Sequence, residues 1–168
     1  MTILSKLSDW AKLRPERPAL VGHDAQGSEL SLSYAQLWLR VQYTAKQLKQ
    51  LNSHCIALRA ENSVDWAVLD LAALSSDLNL LPIPTFFSQQ QVTHALDCAG
   101  VDWLIGDWPE YGEPSRDSLC GFACVAYPNP RQAACLNGTC KVTLHLAPQE
   151  HQKVFALVEH SLIPSLRV

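Results

Sequence analysis

Between residues 55 and 105, short apolar runs alternate with stretches whose apolar residues recur every three or four positions. The runs cover residues 55–59, 78–84 and 101–105. A short, bounded apolar run is typical of a buried strand, and a spacing of three or four is typical of an amphipathic helix. Strands that alternate with helices predict an α/β fold, in which a mostly parallel sheet carries flanking helices.

The predicted helices have recognisable ends. One helix is expected from about Ser33 to Asn52, and another begins after Asn62 or Ser63. Ser88 precedes a third helix, in the spacing of a capping box with the glutamine three positions later. An opening helix over residues 4–11 ends at RPERP, because proline removes an amide donor.

Further strands are expected at 19–22 and 29–32, and candidate strands at 122–127 and 139–143. Loops are expected between 107 and 137.

Composition limits the class of protein. The chain has 168 residues, of which 48% are hydrophobic and 17% charged, so it is one domain or part of a larger one and is not globally disordered. A net charge of −3 gives no strong electrostatic case for nucleic acid or an anionic membrane as partner. No apolar run approaches the ~20 residues of a membrane span, and the start lacks a signal-peptide core. We therefore expect a cytoplasmic protein.

The cysteines raise one alternative. Four of the six fall between residues 120 and 140, with C-x3-C and C-x4-C spacing, and thiolates at short spacing can bind zinc. His145 and His151 follow closely. Buried free cysteine is nevertheless a common small apolar residue. A small free-standing α/β binding module, with a structural zinc site, therefore stays open as an alternative. The cysteines concerned are Cys120, Cys124, Cys135 and Cys140.

Other candidate groups do not form a pattern that would indicate catalysis. Asp65 falls in the first turn of a predicted helix, where a carboxylate favours the helix dipole. The remaining histidines lack partners at a diagnostic spacing, and neither G-x-G-x-x-G nor G-x-x-x-x-G-K-[ST] occurs. We assign no catalytic, cofactor-binding or metal-binding residue from the sequence.

Four phrases in order carry a resemblance: LSDWAKLRPERPALVG, LSLSYAQLWLRVQYTAKQL, IALRAENSVDWAVLDLAAL and LPIPTFFSQQQVTHALDCAGVDWLI. This series resembles the N-terminal part of the AMP-dependent synthetase/ligase family, the adenylate-forming enzymes that include acyl-CoA ligases. It covers residues 1 to about 143. The resemblance implies the N-terminal portion of that family's large domain. It also implies ATP, Mg and CoA for a full-length member, with no cofactor held by this chain.

The family's phosphate loop, roughly T-S-G-T-T-G-x-P-K-G, is expected directly after the segment KVT at 141–143. Glycines there let backbone amides approach phosphate, and a lysine adds positive charge. The chain reads LHLAPQEHQKVFALVEHSLIPSLRV instead. Lys141 precedes the expected loop, and Lys153 lies in this tail, so neither is the loop lysine.

A shifted reading frame accounts for the tail. When the tail is back-translated and regrouped from the third base of the Thr143 codon, the codons permit F-T-S-G-T-T-G-T-P-K-G-V-C directly after KVT. We therefore expect residues 1–143 to be an incomplete N-terminal segment of an AMP-binding domain and residues 144–168 to be an out-of-frame tail. Such a truncated chain would be inactive and would self-associate through exposed sheet edges.

Overall fold

The computed structural model describes residues 2–114 and 116–128, and the backbone of the pairs 143–144 and 154–155. It is a mixed α/β structure with a single turn of 3-10 helix at Pro109–Tyr111. The helices and strands are α1 (Ile3–Leu13), β1 (Pro18–His23), β2 (Glu29–Ser33), α2 (Tyr34–Gln50), β3 (Cys55–Arg59), α3 (Val64–Ser75), β4 (Asn79–Pro82), α4 (Gln89–Ala99), β5 (Trp103–Gly106), β6 (Arg116–Leu119), β7 (Phe122–Ala126), β8 (Thr143–Leu144) and β9 (Val154–Phe155).

The main sheet has five strands in the order β4-β3-β5-β7-β6. Its first three strands are parallel, and Ala57 of β3 pairs with Leu81 on one side and Leu104 on the other. The strands β7 and β6 extend the sheet with antiparallel pairings. A separate antiparallel hairpin joins β1 to β2, and the short strands β8 and β9 pair with each other.

The α/β fold expected from the sequence is confirmed, with one refinement. The parallel arrangement holds for β4, β3 and β5, where helices connect successive strands. Strand β6 lies in a region that was expected to be loop. Its sequence, RDSL, has no apolar alternation that would have indicated a strand. The candidate strand at 122–127 is present as β7. The candidate at 139–143 lies outside the described residues except for Thr143, which begins β8.

Side-chain caps explain where the helices begin. Ser33 and Ser88 both form complete capping boxes, with Gln36 and Gln91 respectively. At the other end of α4, Gly100 adopts a left-handed conformation with φ 62° and closes the helix. None of the described helices has the length and apolar character that a bilayer crossing requires.

The core lies on both faces of the sheet. On one face α4 packs against β3, β4, β5 and β7, and Leu96 there is fully buried. On the other face α2 and α3 cover the same strands, with Leu69 fully buried. A third apolar cluster joins α1, the β1–β2 hairpin and the outer parts of α2 and α3.

Asp102 joins the beginning of β5 to the beginning of β3. Its Oδ2 accepts hydrogen bonds from the Ser53 hydroxyl at 2.9 Å and from the backbone amides of His54 at 2.7 Å and Cys55 at 3.4 Å. Three donors on one carboxylate oxygen fix where the two strands start relative to each other.

Candidate functional site

A cleft of about 560 Å³ opens at the carboxyl ends of β3 and β5. In open α/β sheets this is where ligands bind, because the loops that follow the strands diverge there. The β1–β2 turn, the start of α3 and the β6–β7 turn form its other walls. The lining residues are His23, Asp24, Ala25, Gly27, Ala60, Glu61, Asn62, Ser63, Gly106, Asp107, Gly121, Phe122 and Ala123.

Gly106 allows the two strands to stay close at the floor of this cleft. Its φ of +104° disfavours any side chain, and a Cβ built there would lie 2.1 Å from the carbonyl oxygen of Arg59. Beyond it, the Asp107 amide donates to that same carbonyl oxygen at 2.9 Å. The chain therefore leaves β5 at the point where it is hydrogen-bonded to the last residue of β3.

Arg59 fixes the loop that follows β5. Its Nη1 and Nη2 bind the two carboxylate oxygens of Glu110 at 2.8 and 2.7 Å, and its Nε donates to the Asp107 carbonyl at 2.6 Å. The guanidinium also lies 4.1 Å from the ring centre of Trp108. The hydrogen bonds from Arg59 lower the pKa of Glu110. This bidentate, stacked arrangement needs the planar fork of arginine.

Asp65 joins two walls of the cleft, the β1–β2 turn and the start of α3, to the neighbouring helix α2. It lies in the first turn of α3, as predicted, and is only 3% exposed. Its carboxylate accepts from the Ala25 amide at 2.9 Å in the β1–β2 turn and pairs with Arg40 of α2 at 3.2 Å. Its role is therefore wider than favouring the helix dipole: it holds the hairpin turn against α2 and α3.

Of the four clustered cysteines, Cys120 and Cys124 lie in the part of the chain that the structure describes. The Cys120 thiol lies 3.6 Å from the Asp65 carbonyl oxygen, while Cys124 is buried in β7. Burial and, to a smaller extent, the Asp65 charge raise the pKa of the Cys120 thiol to about 11. No group of three potential metal ligands occurs among residues 2–114 and 116–128. Cys135, Cys140, His145 and His151 lie outside the described residues.

The polar groups of the cleft set what it can bind. It offers the carboxylates of Asp24, Glu61 and Asp107, the amide of Asn62 and the imidazole of His23. The carboxylates accept hydrogen bonds, and the amide and the imidazole can both donate and accept. Asp24 Oδ1 already accepts from the backbone amides of Gln26 and Ser28, at 2.9 and 2.8 Å. Within the described residues the lining contains no lysine or arginine.

Sequence reasoning missed Arg59, Glu110 and Gly106, which shape this end of the sheet. One signal was available, since a glycine directly after an apolar run often marks a close approach of two backbones. The pairing of Arg59 with Glu110 had no local signal, because 51 residues separate the two.

A family profile and solved structures match this chain. The profile described as AMP-binding enzyme matches residues 7–156. A search of curated protein sequences finds no match.

Several solved structures share the fold. The inhibitor-bound N-terminal domain of FACL13 from Mycobacterium tuberculosis has a TM-score of 0.65 at 19% identity, over 90% of this chain and 43% of that one. The O-succinylbenzoate coenzyme A synthetase MenE from Bacillus subtilis, in complex with AMP, has a TM-score of 0.64 at 15% identity, over 91% and 42%. IdnL1 has a TM-score of 0.60 at 19% identity, over 83% and 31%.

The chain thus spans less than half the length of these structures. The profile match covers most of the chain, and the solved structures share its fold. By its sequence profile, and with a fold to match, this chain belongs to the AMP-binding enzyme family.

Proposed function

We propose that residues 1–143 are the N-terminal part of an adenylate-forming enzyme that activates a carboxylic acid with ATP. In that reaction a carboxylate oxygen attacks the α-phosphorus of ATP, and pyrophosphate leaves. The acyl group of the resulting acyl-adenylate then passes to a thiol such as CoA, and AMP leaves. We further propose that residues 144–168 are read out of frame and that the 168-residue chain has no adenylation activity.

The observation that carries this proposal is the alternate reading of the tail. Directly after Lys141-Val142-Thr143, the codons permit F-T-S-G-T-T-G-T-P-K-G without interruption. Five consecutive positions each admit only two residues, and all five admit G-T-P-K-G. The permitted sequence matches the expected phosphate loop, at the position where the family order places that loop.

The profile match supports the family part of the proposal, because the AMP-binding enzyme profile covers residues 7–156. The Bacillus subtilis neighbour is a coenzyme A synthetase, which supports CoA as the acceptor.

The first experiment is to resequence the gene from codon 143 onward. We expect a change of one or two bases to open a frame that encodes T-S-G-T-T-G-T-P-K-G and the rest of a ligase. A confirmed stop after Val168, with no ligase sequence in any frame, would remove the main support for this function.

The second experiment compares the 168-residue chain with the frame-restored protein in ATP–pyrophosphate exchange, over a panel of carboxylic acids. Exchange is expected only from the restored protein, and replacement of its loop lysine by alanine should reduce the exchange rate by about 100-fold or more. Acid-dependent exchange by the 168-residue chain would contradict the proposal. Stoichiometric zinc in the purified 168-residue chain would instead favour the zinc-module alternative.

A further inference from the structure

The first helix exposes large apolar side chains to solvent. Ile3, Trp10 and Leu13 are 59%, 45% and 76% exposed, whereas Leu7 of the same helix is buried against the cluster that includes α2 and the hairpin. A partly exposed tryptophan beside two exposed aliphatic residues is an unusual surface for a helix of 11 residues.

These side chains form one stripe. Ile3, Trp10 and Leu13 are separated by seven and three positions, so they follow one another along the helix surface. Lys6 is exposed and falls in the same stripe, three positions after Ile3. Asp9 lies at one edge of this stripe, next to Leu13 around the helix circumference. We call Ile3, Lys6, Trp10 and Leu13 the outer stripe of α1.

The N-terminal segment that contains α1 differs in the sign of its net charge from the whole chain. Residues 1–17 carry four basic and two acidic side chains, a net charge of +2, although the chain as a whole carries −3. The net charge of the whole chain gave no electrostatic case for an anionic membrane as partner. It averages over an N-terminal segment that is basic. The basic residues are Lys6, Lys12, Arg14 and Arg17.

We propose that the outer stripe of α1 docks on the surface of an anionic lipid bilayer. Helices that lie in a membrane interface place tryptophan and aliphatic side chains among the lipids and keep lysine and arginine at the headgroups. Tryptophan in particular favours the headgroup level. The nearby basic side chains give anionic lipid an advantage over neutral lipid. The proposal is independent of the proposed catalytic function.

The test is flotation of the full 168-residue chain with phosphatidylcholine vesicles and with vesicles that also contain phosphatidylserine. The chain is expected to float with the anionic vesicles, and less so at high salt. Trp10→Ser combined with Leu13→Ser should lower the partition coefficient by about tenfold or more. Lys6→Gln should lower it about fivefold for anionic vesicles only.

Leu39 and Tyr43 provide the matched control, because these two side chains of α2 are 70% and 64% exposed. Leu39→Ser combined with Tyr43→Ser should leave flotation unchanged, and far-ultraviolet circular dichroism checks that each variant folds. Equal flotation of all variants, or no preference for phosphatidylserine, would overturn the proposal. A third outcome would also overturn the proposal: no form of the chain floats, and the chain is an oligomer that the α1 substitutions convert to monomers. The outer stripe of α1 would then be a protein–protein interface.

Discussion

At the scale of single residues, the end of the parallel strands depends on a few side chains and on one glycine. Gly106 has a positive φ and lies where a Cβ would meet the Arg59 carbonyl oxygen. Gly27 also has a positive φ, of +87°, but nothing lies within 4 Å of a Cβ built there. The two glycines therefore separate the cost of backbone conformation from the cost of a steric clash.

Gly106→Ala is expected to lower the free energy of unfolding by about 3 kcal/mol or more, since the clash adds to the backbone strain. Gly27→Ala should lower it by about 1 kcal/mol, which is the conformational cost alone. Urea denaturation of the two variants measures the difference. Equal losses would mean that the strands can separate at this point without penalty.

The pair of Arg59 and Glu110 predicts a dependence of stability on pH. The pKa of Glu110 is lower in the folded chain, so the pair contributes fully above the unfolded value of about 4.3 and its contribution is lost as pH falls through the folded pKa. Glu110→Gln should therefore cost about 1 kcal/mol at pH 7 and progressively less in acid.

Thermal unfolding between pH 7 and strongly acidic conditions tests this difference for the parent chain and Glu110→Gln. Glu113→Gln, an exposed carboxylate in the same loop, is the control and should change stability little at any pH. If the loss of thermal stability in Glu110→Gln is the same at every pH, the charge of Glu110 is not what stabilises the loop.

At the scale of helices and strands, the sequence predicted the elements that have their own periodicity or caps. The starts of α2 and α4 follow from Ser33 and Ser88, and β3 follows from a continuous apolar run. Strand β6 was not predicted, because it has no apolar pattern of its own. It is a strand through its pairing with β7. The role of Asp65 could be predicted only in part, because its partner Arg40 lies 25 residues earlier on another helix.

The cap of α4 gives a prediction at this scale. Ser88→Ala removes the hydroxyl that accepts from the Gln91 amide and should destabilise the chain by about 1 kcal/mol. Thr93→Ala changes an exposed position of the same helix and is expected to alter stability by less than about 0.5 kcal/mol. Urea midpoints of the two variants give the comparison, and equal midpoints would exclude a stabilising role for the cap.

At the scale of the whole molecule, the described sheet ends in β4 on one side and β6 on the other. The outer edge of a sheet carries backbone donors and acceptors that can pair with another chain. The structural neighbours are more than twice as long as the chain, so the frame-restored protein would add chain that can cover these edges.

We therefore expect the 168-residue chain to self-associate with rising concentration and the frame-restored protein to do so much less. Sedimentation velocity over a range of concentrations measures both. A 168-residue chain that stays a single monomeric species and melts cooperatively would show that the edges of its sheet need no cover.

The hydrogen bonds of Asp102 bear on the order in which the chain folds during synthesis. Asp102 sets the start of β5 against β3, and Gly106 closes the other end of the same pair, so the parallel ladder is complete within the first 106 residues. Every residue of the β4–β3–β5 ladder is therefore synthesised before codon 143 is translated. The frame in which the tail is read does not change the strands that are available to pair in this ladder.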